Sequence, residues 1–377
     1  MKHPTRILMT ADSIGGVWTY ALELAAELGN HGIEVAMATM GAPLSAAQRR
    51  EAVEISNLEV FESGYKLEWM ENPWIDVAAA GDWLLSLEET VKPDVIHLNG
   101  YAHGSLPWSA PCLLVAHSCV LSWWRAVHEC EAPEEWNPYR EAVRAGMAGA
   151  DLVVAPSQAM LASIERDYAP LPPAIVIPNG RKLPAVALLP KEEFILSAGR
   201  LWDEAKNIQA LAGISGELPW PVFIAGEQRN PSRQNASSSG PGSLHALGKL
   251  SAAELLPWFQ RASIYALPAR YEPFGLSAIE AALCGCPLVL GDLSSLREIW
   301  GDAAIFVPPQ DSAALKAALL DLIHSPALRS ELGRKARTVA LRHTPERMAF
   351  SYLEAYRSLL AVPDQPEVFA EMHVCAS

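Results

Sequence analysis

No stretch of 18 uninterrupted apolar residues occurs in the 377-residue chain, so no membrane-spanning helix is expected. Basic residues are scarce: 29 Lys and Arg against 43 Asp and Glu leave a formal net charge of -14. General nucleic-acid binders draw most of their affinity from basic side chains that neutralise phosphates, so no nucleic-acid partner is expected. The same deficit weakens adhesion to anionic lipid; a local basic patch is compatible with it, but peripheral membrane association is not indicated. The six cysteines (Cys112, Cys119, Cys130, Cys284, Cys286 and Cys375) form no C-x-x-C pair. They read as structural thiols rather than as a metal or redox centre. The first nine residues turn directly into a strand-like run without the apolar core of a secretory leader, which makes the cytoplasm the expected compartment. Nothing in the residue order speaks to oligomeric state.

What is present is the composition of a globular fold, with 50% apolar and 19% charged residues. A chain of this length exceeds what one core usually serves, so two domains are expected. Strand-like runs at 7–10, 33–38, 94–98, 111–116, 152–155 and 174–177 alternate with helical patterns at 17–28, 75–87, 139–148 and 158–167. Such alternation points to a parallel, doubly wound α/β sheet. Prolines interrupt 181–190, and the pattern then restarts. Strands are expected at 194–197, 221–225, 263–266, 287–290 and 304–307, with helices at 205–211, 251–259, 275–284 and 312–323. The expected organisation is an amino-terminal Rossmann-like domain over 1–182, a linker at 183–188 and a second Rossmann-like domain over 189–344. A final amphipathic helix covers about 345–361. A ligand belongs in the cleft between the halves. The Pro-, Ser-, Asn- and Gly-rich stretch within 227–243 reads as a surface loop, either decorative or bordering that cleft.

Three segments carry candidate chemistry. The first, Ala11-Asp12-Ser13-Ile14-Gly15-Gly16, joins strand to helix. Its glycines let backbone approach an anion at a helix start, or simply make a tight turn; it completes neither G-x-G-x-x-G nor a P-loop. Asp12 suits either acceptor hydroxyls or turn stabilisation. The second segment holds Arg200 and Lys206, a fork and a point charge for phosphate, though alone they would read as solvated surface. The third, Arg270-Tyr271-Glu272-Pro273-Phe274-Gly275-Leu276-Ser277-Ala278-Ile279-Glu280, puts two carboxylates across a helix start. From Gly275 to Glu280 a helix advances roughly 7.5 Å, so one compact ligand would reach both the helix start and Glu280. The plain alternative is a helix-start carboxylate followed by an exposed one. An unpaired buried carboxylate is costly, which favours a hydroxyl-rich ligand bearing phosphate: a nucleotide-activated sugar. His117 closes a strand at the cleft edge and reads as structural or as an acceptor hydrogen-bonder. His97 and His103 are weaker candidates near the same cleft. Trp123, Trp124, Trp136 and Arg140 suit acceptor recognition, an interdomain lid or a lipid-facing patch.

With Gly15-Gly16, His117, Ile177-Pro178-Asn179-Gly180, Gly199-Arg200, Lys206-Asn207 and the E-x7-E of Glu272 and Glu280, the chain resembles the family 4 glycosyltransferases over almost its whole length. The resemblance implies a GT-B fold, two Rossmann-like domains facing each other across a deep cleft, with the last helix packed back on the first. It also implies a retaining hexosyl transfer from a nucleotide diphosphate sugar (UDP-, GDP- or ADP-linked) to a hydroxyl acceptor, without a cofactor or a required metal ion. In that family Arg200 and Lys206 correspond to residues that bind the donor pyrophosphate, Glu272 to one on the donor sugar, and Glu280 to one on the ribose. Phe274, Gly275 and Leu276 would offer backbone N–H groups, and Lys249 and Leu250 join the expected donor side with Gly15 and Gly16. The catalytic set expected is His117, Arg200, Lys206 and Glu272; the acceptor set is Asp12, Trp123, Trp124, Trp136 and Arg140. A sugar-nucleotide epimerase and a non-catalytic sugar-nucleotide-binding protein are the competing readings.

Overall fold

The computed structural model describes residues 3–183, 189–227 and 244–361. Most of the expected linker and of the 227–243 loop, together with Cys375, lies outside the described residues. The first unit begins with β1 (Arg6–Asp12), α1 (Gly16–Gly29), β2 (Glu34–Met40), α2 (Ala46–Val53), β3 (Leu58–Glu62) and α3 (Trp74–Val91). It continues through β4 (Val95–Leu98), β5 (Cys112–Val115), α4 (Val120–His128), α5 (Asn137–Gly149), β6 (Leu152–Ala155), α6 (Gln158–Tyr168) and β7 (Ala174–Val176). All neighbours are parallel, in the order β3-β2-β1-β4-β5-β6-β7. Successive side chains of a strand point to opposite faces, and β1 serves two cores in this way: Ile7, Met9 and Ala11 enter one, Leu8 the other.

The second unit comprises β8 (Glu192–Ala198), α7 (Ile208–Ser215), β9 (Val222–Ala225), β10 (Leu244–Gly248), α8 (Ala252–Arg261), β11 (Ala262–Leu267) and α9 (Leu276–Leu283). β12 (Leu288–Gly291), α10 (Ser294–Trp300), β13 (Ile305–Val307), α11 (Ser312–His324) and α12 (Pro326–Ala340) complete it. Its parallel sheet runs β10-β9-β8-β11-β12-β13. α13 (Pro345–Leu360) then crosses back. Thr344 caps it, Pro345 occupies its first turn, and Met348, Tyr352, Leu353 and Tyr356 enter the first unit's core beside Trp18, Tyr20 and Leu24 of α1. Burying one such large apolar side chain contributes about 1.5–3 kcal/mol, so α13 is a structural part of the unit that opens the chain.

Several elements depart from the sequence expectation. α2, β3, α4, β10, α10 and α12 were not anticipated; β3 and β10 are edge strands with much exposed surface, so their apolar alternation is weak. The helix expected at 205–211 is broken. A single turn spans Glu204–Lys206, and Asn207 adopts φ +53° before α7 begins. Its side-chain amide there donates to Pro268 O and Pro309 O, both at 2.8 Å, which pins the break. Cys112, Cys119, Cys284 and Cys286 are buried free thiols, and Cys130 is exposed.

Candidate active site

In doubly wound sheets a ligand crevice opens at the carboxyl ends of the strands where the strand order reverses. That point lies between β1 and β4 in the first sheet and between β8 and β11 in the second. The loops leaving β8 and β11 therefore meet, and they bring Lys206 to Glu272. Lys206 Nζ lies 2.7 Å from Glu272 Oε2, with side-chain exposures of 17% and 11%. Glu272 is held at other points as well: Oε1 accepts from Phe274 N–H at 3.5 Å, and its backbone oxygen accepts from Ser295 Oγ at 2.5 Å.

Gly275 takes φ +90° immediately before α9, a conformation that glycine adopts without a Cβ penalty. No side chain caps α9, so the N–H groups of its first turn keep the partial positive charge that attracts anions. The start of α1 faces it. Gly15 has φ +115°, and α1 too lacks a side-chain cap. A Cβ on Gly15 would lie 3.6 Å from Arg200 Nη1, and one on Gly16 would lie 3.7 Å from Leu276 Cδ1. Two open helix starts thus approach from opposite units beside one guanidinium.

Arg200 is oriented by Asp203, which accepts from its Nη2 at 2.8 Å. The guanidinium carbon lies 5.0 Å from the Trp202 ring centroid. Asp203 Oδ1 in turn accepts from Ala205 N–H at 3.0 Å and from Trp123 Nε1–H, across the cleft, at 3.1 Å. Burial works against the Asp203 charge, but Arg200 and Lys206, together with the hydrogen bonds from Trp123 and Ala205, hold the carboxyl below its ordinary range. Trp123 is therefore an interdomain strut as well as a cleft-wall candidate.

On the first unit's side, Asp12 ends β1. Oδ1 accepts from Ile14 N–H at 2.6 Å, and burial raises its carboxyl to about 7 against the opposing pull of that N–H and of Arg200. His117 follows β5. Its Nε2 is 2.7 Å from Asn99 Oδ1, its ring meets the Tyr20 ring edge-on at 4.5 Å, and burial lowers its pKa to about 3.

Glu280 occupies α9 about one turn from its start. Its Oε1 accepts from Arg181 Nε at 2.7 Å, and Arg181 Nη1 also pairs with Glu23 of α1. Among the described residues Glu280 Oε2 has no hydrogen bond. Arg181, placed in the proline-interrupted segment by sequence, is a buried bridge between the two units.

The remaining expected site residues make contacts of their own. Trp124 packs on the flank of the first unit's core and against His128, with ring centroids 4.6 Å apart. Trp136 meets Tyr139 edge-on at 5.9 Å, and Arg140 donates to Asn137 Oδ1 at 2.6 Å. Lys249 lies just past β10, exposed and 3.6 Å from Glu227; Leu250 packs on the second unit's core. Phe274 is buried against His343, with centroids 5.5 Å apart. His97 turns away from the cleft toward α13, because its place in β4 puts it on the same face as Val95. His103 bonds to Val77 O of α3 at 3.0 Å. Sequence reasoning missed Asn99, Arg181 and Asp203. It also missed the interdomain contacts of Tyr271 Oη with Cys119 N (3.0 Å) and Ser122 Oγ (2.9 Å), and of Ser157 Oγ with Pro273 O (2.9 Å). Tyr271 and Pro273 stand inside the two-glutamate motif, which is the signal that was available. Among the described residues no three His, Cys, Asp or Glu side chains are grouped for a metal ion, and no helix is long and apolar enough to cross a membrane.

Residues 14–183 match the family described as Glycosyltransferase Family 4, and residues 181–339 match Glycosyl transferases group 1. The chain is 41% identical over 93 residues to glycogen synthase of Mycobacterium tuberculosis, an alignment covering 24% of this chain and 22% of that protein. It is 26% identical over 203 residues to O-antigen chain mannosyltransferase B of Escherichia coli, covering 51% and 52%. The chain thus spans about half, or less, of the length of these curated relatives. In fold it is similar to sucrose-phosphate synthase of Thermosynechococcus elongatus, with a TM-score of 0.78 at 20% identity, covering 94% of this chain and 99% of that one.

Proposed function

The chain belongs to the family 4 glycosyltransferases, and from that premise we propose that it moves a sugar from a nucleotide diphosphate donor to an acceptor hydroxyl with retention at the anomeric carbon. The observation that carries this reading is the convergence of Lys206, Arg200 and the two uncapped helix starts of α1 and α9 at one point of the interdomain cleft. Positive charge at that point offsets the negative charge that develops on a departing nucleotide diphosphate, which is a large electrostatic contribution in a water-poor site. Charge from Arg200, Lys206 and backbone N–H groups fills the role that a metal ion would otherwise take, so a metal is not part of the proposed reaction.

Glu272 faces the transferred sugar, its orientation fixed by Lys206 and Phe274 N–H. Glu280 offers Oε2 to the ribose hydroxyls while Arg181 holds Oε1. The acceptor enters from the first unit, beside Asp12 and His117, with Trp123 at the rim. Because burial disfavours a protonated His117 and no free carboxylate is assigned as nucleophile, the departing phosphate takes the acceptor proton on the same face of the sugar. UDP, GDP and ADP donors all fit this account. Soluble and lipid-linked acceptors are both open.

A mass-spectrometric screen of nucleotide sugars against mixed acceptors tests the proposal. Donor loss with a product heavier by one sugar supports transfer. An isomerised donor of unchanged mass would point to epimerisation, and binding without consumption would point to a sensor.

A further inference from the structure

We infer that Asn99 is a positioning residue for His117: it fixes the imidazole as the Nε2–H tautomer and leaves the Nδ1 lone pair as the ring's acceptor. The inference rests on the proposed transfer reaction only for its effect on rate; the tautomer follows from hydrogen-bond geometry.

Asn99 leaves β4 beside Thr10 of β1, and that pairing orients its amide. Its backbone N–H donates to Thr10 Oγ1 at 2.8 Å, and its Nδ2 donates to Thr10 O at 2.7 Å. A flipped amide would set its oxygen against the Thr10 carbonyl, so Oδ1 must face the other way. There it lies 2.7 Å from His117 Nε2 and 3.3 Å from His97 Nε2. An amide oxygen only accepts, so the facing nitrogen of His117 carries the hydrogen. Burial keeps the ring neutral, so the second nitrogen remains bare. Tyr20, edge-on at 4.5 Å, restricts rotation of the ring.

The support behind Asn99 reaches the last helix. Tyr20 Oη lies 3.2 Å from His97 Nε2, and Tyr356 Oη of α13 lies 2.6 Å from His97 Nδ1. Docking of α13 thus closes a string that runs Tyr356, His97, Asn99, His117. A His117 held in this way accepts from a hydroxyl and rejects a carboxylate or phosphate oxygen at the same place.

Imidazole nitrogen spectra of the full chain, assigned with a His117→Gln variant, test the tautomer directly. We expect Nε2–H alone at His117 in the unaltered chain. Asn99→Leu should yield mixed tautomers. Its turnover should fall between about ten- and a hundred-fold through misplacement of the ring, with unchanged affinity for UDP or whichever nucleoside diphosphate binds. Nδ1–H at His117 in the unaltered chain overturns the inference, and that result needs no variant to fold. Retention of pure Nε2–H in folded Asn99→Leu overturns it too. A chain that transfers no sugar yet shows the expected tautomers refutes the proposed activity and the rate effect, while the geometric assignment stands.

Discussion

Lys206 Nζ sits 2.7 Å from Glu272 Oε2, in a pair whose two side chains are both more than four-fifths buried. Each residue comes from a different strand-to-helix loop, and each is a candidate for direct contact with donor. In the proposed reaction the pair has two separable functions: it neutralises charge within the cleft, and it presents an ammonium to a phosphate.

Those functions come apart in a double substitution. Lys206→Met alone leaves a buried carboxylate unpaired and should cost about 3–5 kcal/mol of stability. Adding Glu272→Gln should recover most of that loss, because the remaining pair is neutral. Transfer should stay depressed in both variants, by roughly a hundred- to a thousand-fold for loss of one charge-stabilising group. Denaturant unfolding and steady-state turnover measured on the same preparations check this. Recovery of rate together with stability would make Lys206 purely structural.

Arg181 joins Glu280 of one unit to Glu23 of the other, so the proposed nucleotide subsite is tied to the position of α1. Glu280→Gln should raise the Kd for the nucleoside diphosphate about tenfold, the effect of losing one charge-assisted hydrogen bond. The rate at saturating donor should change much less. Arg181→Ala should weaken nucleotide binding as well, by freeing Glu280 to move. Calorimetric titration reads both; an unaltered Kd in Glu280→Gln would remove the carboxylate from the ribose site.

How far was this site legible beforehand? Glu272, Gly275 and Glu280 announced themselves because an acid on the apolar side of a helix start needs a partner. Lys206 and Arg200 gained meaning only from that company. Asn99 looked like an ordinary loop residue after a strand, since nothing in its neighbours reveals that β1 and β4 lie side by side. Arg181 was hidden for the same reason: its two partners lie 158 and 99 positions away. The tryptophans were less legible: Trp124 and Trp136 read as an acceptor surface, an interdomain lid or a lipid-facing patch, and both pack partly buried against the first unit's core, a placement that residue order does not reveal. Both sheets were readable from their alternating buried runs, whereas β3 and β10 at the edges were not.

Asp12 should set the pH response of acceptor use. Its carboxyl is raised to about 7, from an ordinary 3.8, by burial. Between those values the unfolded chain releases a proton that the folded chain keeps, so this group's contribution to stability falls as pH rises through the window. The fraction of Asp12 able to accept hydroxyls rises over the same range. kcat/KM for acceptor should therefore change near pH 7 in the unaltered chain and be flat there in Asp12→Asn. His117, lowered to about 3, contributes no titration in that range.

Acid stability should depend in part on histidines that burial keeps neutral, His97, His117 and His343 among them. Burial lowers His97 and His117 to about 3, and lowers His343 to about 4 with Arg347 and Arg342 adding to it. The unfolded chain takes up these protons near 6.5, so the stability they leave intact above 6.5 is lost progressively as pH falls below it. Each group costs about 1.4 kcal/mol per pH unit in that window. Asp12, Glu23 and Glu68 oppose them, since burial raises these carboxyls and the folded state takes up their protons first. His343→Gln removes one of the histidines and lies outside the assigned donor contacts. The midpoint of acid unfolding, followed by circular dichroism, should move to lower pH in that variant. An unmoved midpoint would mean that His343 accepts its proton within the folded chain, beside Phe274, and that its packing there is too open to exclude charge.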